Sequence, residues 1–147
     1  MVDIQTVSIA VASASVTLAA IYYIFQIRHQ TRIRQTDLVI RLYSAVSSKE
    51  FLEAWEKFRD REFKSLSDYK EKYGSFLEVN QLFALFDEVG VLLRRKLIDT
   101  AIAEDLFGDA VKTIKEKVGE YSKDRPYFEY LYNEMKKREE RLKKSKA

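Results

Sequence analysis

No cysteine occurs in this sequence, which excludes a disulfide framework, a thiolate zinc site and thiol catalysis, and suits a reducing compartment. There is one proline and there are four glycines, too few for a fold of many tight turns and well suited to long helices. A single histidine leaves no His-based metal cluster within one chain. The absence with the widest consequence is of charge. From Ile4 to Ile27 there is no Asp, Glu, Lys, Arg or His, and every Lys and Arg lies beyond Phe25.

As a helix rising 1.5 Å per residue, that uncharged run covers roughly 36 Å, enough to cross the hydrocarbon core of a bilayer. Only Asp3 precedes it, and Arg28-His29-Gln30-Thr31-Arg32-Ile33-Arg34 follows it. The asymmetry predicts one membrane span with the N-terminus outside and the rest in the cytoplasm. A cleaved secretory signal has its basic residues ahead of the apolar core, the reverse of this order. Ala12-Ser13-Ala14 imitates a cleavage site, yet the apolar run continues past it. A buried soluble helix usually keeps a polar face, and none of this run is charged.

The span is only mildly apolar. Between Val7 and Phe25 there are eight Val, Ile, Leu or Phe, against five Ala, three Ser, one Thr and two Tyr. At roughly −0.3 to −0.6 kcal/mol each, the eight supply a few kcal/mol of insertion free energy, so the span gains from protein neighbours. Its small residues fall on two opposite helical faces. Ser8, Ala12, Ser15, Ala19, Tyr22 and Gln26 form one, and Thr6, Ala10, Ser13, Thr17 and Ala20 the other. Small faces let backbones approach closely in lipid, so both are candidate self-association surfaces. In an alternative reading the first face lines the pore of a homo-oligomeric channel. Ser8, Ser15, Tyr22, Gln26 and His29 would then face the lumen, and a juxtamembrane collar of Arg28, His29, Arg32 and Arg34 would favour anions at the inner mouth.

The remaining sequence, about 120 residues, is enough for one small domain. No Gly or Pro interrupts Gln26 to Ser44, and the four/three spacing continues through His29, Ile33, Thr36, Ile40 and Tyr43. The first helix is therefore expected to run on as one rod, self-associating or docking on the domain. Ser47 with Glu50 reads as a capping box for a helix with Phe51, Leu52, Trp55 and Phe58 inward. A short helix around Tyr69 and Tyr73 ends at Gly74. Phe76 to Leu97 has the most apolar face, including Leu77, Val79, Leu82, Phe83, Phe86, Val89 and Leu93, and is expected to centre the core. Gly90 within it costs about 1 kcal/mol relative to Ala, which predicts a helix crossing tightly there. A short helix from Asp99 or Thr100 to Phe107, closed by Gly108, and another capped by Asp109 are expected next. Pro126 then opens the last helix. The expected organisation is a tip and transmembrane helix over 1–27, a juxtamembrane helix over 28–47, a cytoplasmic helical domain over 48–135 and a basic helix end over 136–147. The fold class is all-α, one transmembrane helix continuing into a small helical bundle, with Trp55, Phe83, Phe86, Val89 and Leu93 in the core.

No phosphate loop, dinucleotide fingerprint or nucleophile elbow is present. Asp99, Glu104 and Asp105, and the pair Asp87 and Glu88, lack the calcium-loop pattern and read as caps and solvated faces. So do Glu53, Glu56, Asp60 and Glu62. The net charge of +3, with signs interleaved, gives no nucleic-acid footprint. The basic end from Lys136 to Lys146 reads as a solvated helix end, with contact to anionic lipid as its alternative use.

The order of segments resembles a known family. The span runs into Gln26-Ile27-Arg28-His29-Gln30-Thr31-Arg32, followed by Phe51-Leu52-Glu53-Ala54-Trp55. Next come the run from Leu82 to Asp99, Asp105-Leu106-Phe107-Gly108 and Tyr127-Phe128-Glu129-Tyr130-Leu131. This is similar to prokaryotic single-span proteins carrying a domain of unknown function, DUF4760. The resemblance implies the helical architecture and a prokaryotic cell membrane, and it carries over no functional residue. The expected function is that of a non-enzymatic inner-membrane protein. It has no cofactor or metal, self-associates through its span, and presents its domain to an unidentified protein partner.

Overall fold

The computed structural model describes residues 3–147, so the first two residues of the expected outer tip lie outside it. The described residues form six helices and no strand. They are α1 (Ile4–Val46), α2 (Lys49–Asp60), α3 (Leu66–Tyr73), α4 (Leu77–Arg94), α5 (Thr100–Ser122) and α6 (Pro126–Lys146). The chain divides into two compact units, one ending at Leu38 and the other Val39–Ala147.

In the first unit α1 follows the uninterrupted sequence past Gln26, as the lack of Gly and Pro predicts. Each residue from Asp3 to Arg34 is exposed.

In the second unit α4 packs against α2, α5 and α6, so the most apolar helix is the central one. Phe86 is its hub. Its ring meets Phe51 of α2 at 6.2 Å, Phe107 of α5 at 5.9 Å and Phe128 of α6 at 6.5 Å, each edge to face. Phe83 adds an edge contact to Phe128 at 5.0 Å. Such pairs favour the quadrupole-aligned geometry seen here. Gly90 explains how α6 comes so close. A Cβ at that position would lie 2.2 Å from the Tyr127 carbonyl oxygen. The α3 end is equally legible, with Gly74 closing it at φ 84°, a left-handed cap that suits glycine.

Three local expectations are corrected. The cap of α2 is Ser48, whose side chain accepts from Phe51 N at 3.2 Å, so Ser47 with Glu50 forms no capping box. Leu77 is exposed, because α4 begins there and its buried stripe starts at Val79. Gly108 does not break the chain into two helices. It is buried inside a continuous α5, whose bend comes later, at Val118 (φ −133°, ψ 34°).

Candidate functional site

The apolar part of α1 carries polar side chains, and the helix supplies acceptors for several of them. Ser15 Oγ donates to Val11 O at 2.8 Å and Thr17 Oγ1 to Ser13 O at 2.9 Å. Gln26 Nε2 donates to Tyr22 Oη at 3.2 Å, one turn back. Thr31 and Thr36 repeat the hydroxyl pattern, bonding to Ile27 O and Arg32 O at 2.9 Å each. In hydrocarbon a hydroxyl must find such an internal acceptor.

Helical geometry gathers Ser8, Ala12, Ser15, Ala19, Tyr22 and Gln26 on one side of α1, and Thr6, Ala10, Ser13, Thr17 and Ala20 on the other. All eleven are exposed. Arg28, His29, Arg32 and Arg34 follow within two turns and are exposed as well. The helix is long and apolar enough to cross a membrane, and none of its apolar window is buried.

The second unit spends its half-buried charges on joining helices. Asp87 of α4 accepts from Arg125 Nη1 at 3.0 Å and from Phe128 N at 3.2 Å, so a carboxylate from another helix caps α6. That satisfies one of the orphan donors at the helix start. Lys117 of α5 does the converse for α2. Its ammonium donates to the carbonyls of Phe58, Arg59 and Arg61 at 3.0, 2.6 and 3.1 Å. Burial pushes its pKa down, against the attraction of Asp60 and Glu62. Arg61 Nη1 donates to the Tyr69 phenol at 2.8 Å, and that phenol donates to Glu78 at 3.2 Å. Burial raises the Tyr69 pKa, with Arg61 opposing.

A third cluster spans the bend of α5. Lys115 lies before Val118 and the fully buried Ser122 after it, and both reach Glu129 of α6. Lys115 also donates to Ser122 Oγ at 3.0 Å. The Ser122 hydroxyl has Glu129 Oε1 at 2.5 Å and Gly119 O at 2.7 Å as acceptors. Burial alone would raise the Glu129 pKa. The Lys115 and Ser122 hydrogen bonds outweigh it and hold the carboxyl below its ordinary value.

Of the residues expected in the core, Phe83, Phe86 and Val89 are fully buried and Leu93 nearly so. Trp55 is a correction, since it is only half-buried. With Phe51, Leu52 and Leu106 it lines a groove of about 340 Å³ between α2 and α5, with Asp105 and Asp109 among its lining residues. Helical spacing pointed Trp55 inward. The α5 segment opposite it leaves this groove unfilled, a tertiary fact outside the reach of periodicity. Three of the acidic residues on α2 and α5 engage basic neighbours. Glu104 pairs with Arg138 at 2.6 Å, Glu53 with Lys49 at 3.8 Å and Asp60 with Arg59 at 2.9 Å. Among the described residues no group of three or more His, Asp or Glu could hold a metal ion. In the basic end, Lys137 pairs with Glu134 and Lys143 with Glu139, within the same helix.

Residues 9–140 match the family described as Domain of unknown function (DUF4760). The chain belongs to this family. The DUF4760 match begins inside the apolar part of α1 and ends within α6, so the family pattern includes both the uncharged helix and the helical domain. No curated protein and no solved structure matches the chain.

Proposed function

We propose that this DUF4760 protein is a non-enzymatic, single-span protein of the cell membrane that self-associates through α1 and presents α2–α6 to a protein partner in the cytoplasm. The observation that carries the reading is the character of α1. It is a helix of uncovered Val, Ile, Leu, Phe and Tyr whose Ser15 and Thr17 hydroxyls turn back onto its own carbonyls. An apolar surface this extended is stable against lipid or protein and unstable against water. The flanking charge sets the direction, with Asp3 before the run and Arg28, Arg32 and Arg34 after it. The non-enzymatic part is supported by the domain's half-buried carboxylates. Asp87, Glu78, Glu104 and Glu129 are each engaged in an ion pair.

Protease protection tests orientation. In inverted membrane vesicles protease removes α2–α6, and in right-side-out vesicles it leaves them intact; the opposite pattern contradicts the reading. The pore remains the second reading, favoured by the polar series Ser8, Ser15, Tyr22, Gln26 and His29 along one side of α1. Ion flux through liposomes holding a verified oligomer supports it, and a sealed liposome removes it.

A further inference from the structure

We infer that the groove between α2 and α5 is the docking surface for a protein partner, and that the partner presents a basic amphipathic helix. Its apolar ridge would seat beside Trp55, with flanking Lys or Arg set against Asp105 and Asp109. The assignment rests on the reading that α2–α6 serve a protein partner, and gives that partner a surface and a chemistry.

The groove follows from how α4 is covered. Both α2 and α5 pack on α4. They meet each other at one end, where Lys117 Nζ bonds the Phe58, Arg59 and Arg61 carbonyls. A few turns earlier on α5, at Leu106, they stand apart above the fully buried Phe86, and about 340 Å³ stays open. The walls there are apolar. Leu52 is 46% exposed, and Phe51, Trp55 and Leu106 are half-buried. A half-covered tryptophan beside an open apolar cleft keeps a face that gains by leaving water, and Trp is enriched at the centres of protein interfaces.

Charge decides what fits. The sequence has 26 Lys and Arg against 23 Asp and Glu, yet the groove is lined by Glu104, Asp105 and Asp109 and by no basic side chain. Glu104 is paired with Arg138 at 2.6 Å, and Asp105 acts on the same guanidinium more weakly. Asp105 and Asp109 are both exposed, and one helical turn apart they share a side of α5. Among the described residues neither forms a salt bridge. Both lie beyond the first turn of α5, too far from Thr100 to serve the helix dipole. An apolar cleft edged by two such carboxylates repels an acidic partner and attracts a ridge of Leu, Ile or Phe flanked by Lys or Arg. The shape agrees, since a trough between two helices receives the apolar face of a third.

Trp55 is the only tryptophan of the sequence, so its emission reports the groove. Full-length protein in phosphatidylcholine nanodiscs is titrated with a synthetic amphipathic peptide of Leu and Lys, and separately with its Leu and Glu counterpart. Only the Lys peptide is expected to shift Trp55 emission to shorter wavelength, and to do so saturably. Its affinity should fall at least several-fold in Asp105→Asn/Asp109→Asn and stay unchanged in Glu71→Gln/Glu120→Gln. All four carboxylates are exposed, so the fold tolerates each change. No shift with either peptide would overturn the groove as a docking surface. An equal response to both peptides, or equal affinity in the two double variants, would overturn the preference for a basic partner. Trp55 emission that changes with protein concentration before any peptide is added would make a second copy the occupant and overturn an external partner. A photoreactive benzoylphenylalanine in native membranes separates the groove from the partner reading beneath it. At Leu52 it should crosslink a protein segment that mass spectrometry reads as apolar and rich in Lys or Arg. An acidic or uncharged segment there, or a crosslink at Glu71 and none at Leu52, would overturn the groove assignment and leave the partner standing. No crosslink at any exposed position of α2–α6 would remove the partner itself.

Discussion

Gly90 and Gly119 look alike in sequence, each a glycine within a helix, and their surroundings give opposite expectations. A Cβ on Gly90 would lie 2.2 Å from Tyr127 O and 2.7 Å from Tyr127 C, both backbone atoms. A Cβ on Gly119 meets nothing within 4 Å. Replacing Gly by Ala inside a helix contributes about 1 kcal/mol through backbone entropy when the space is free. Gly119→Ala should therefore raise stability by up to about 1 kcal/mol. Gly90→Ala should lower it by about 1–3 kcal/mol, since α6 must shift from its seat on α4. Denaturant titration of the purified protein, followed by near-UV circular dichroism of the packed aromatics, measures both. Equal effects for the pair would contradict the close approach. Lys96 is the converse case, a lysine holding φ 59° just beyond α4. Leu97 N reaches back to Leu92 O at 2.9 Å and Lys96 N to Leu93 O at 3.0 Å, a helix end that usually employs glycine. Lys96→Gly should stabilise by about 1 kcal/mol, visible as a higher denaturation midpoint at unchanged slope.

Among the elements, the helices formed by strong local signals were readable, and those decided by tertiary packing were not. The apolar stripe of α4, Gly74 after α3 and Pro126 at the start of α6 each act through their own backbone or periodicity, so sequence alone places them. The tight crossing at Gly90 was legible for the same reason, because a glycine in a strong helix needs a neighbour to explain it. Gly108 carried a stop signal that the structure overrides, since α5 buries it as an ordinary interior position. Helical spacing predicts Trp55 inward, yet its far side opens on the groove with Leu106. The two cross-helix caps, Asp87 on α6 and Lys117 on α2, have no sequence signal, since each partner lies more than 35 residues away. The Lys115–Ser122–Glu129 cluster is of the same kind, and it makes the α5–α6 pairing sensitive to acid. Glu129 has a folded pKa below its ordinary value of 4.5. Its contribution is thus fully present above that value and is lost as pH falls through the lower, folded one. Acid titration of stability should show this loss in the native sequence. In Glu129→Gln the acid limb should be flatter and the stability at neutral pH lower. An unchanged acid limb would contradict the role assigned to this carboxylate.

For the molecule as a whole, the two halves of the sequence solve different solvation problems. The part beyond Val39 closes its own core around Phe83, Phe86 and Phe128, and its charges pair between helices. The part before Leu38 leaves its apolar side chains uncovered and carries no ionisable Asp, Glu, Lys, Arg or His from Ile4 to Ile27. Lipid as the solvent of that helix is the claim on which orientation and self-association both depend. Alkaline carbonate extraction of cell membranes, with the intact mass of the protein recorded in each fraction, tests it most directly. The account predicts that the uncleaved chain stays with the membrane pellet and is released only by detergent. Recovery of the same full-length mass in the carbonate supernatant, or as a soluble species without detergent, would contradict it.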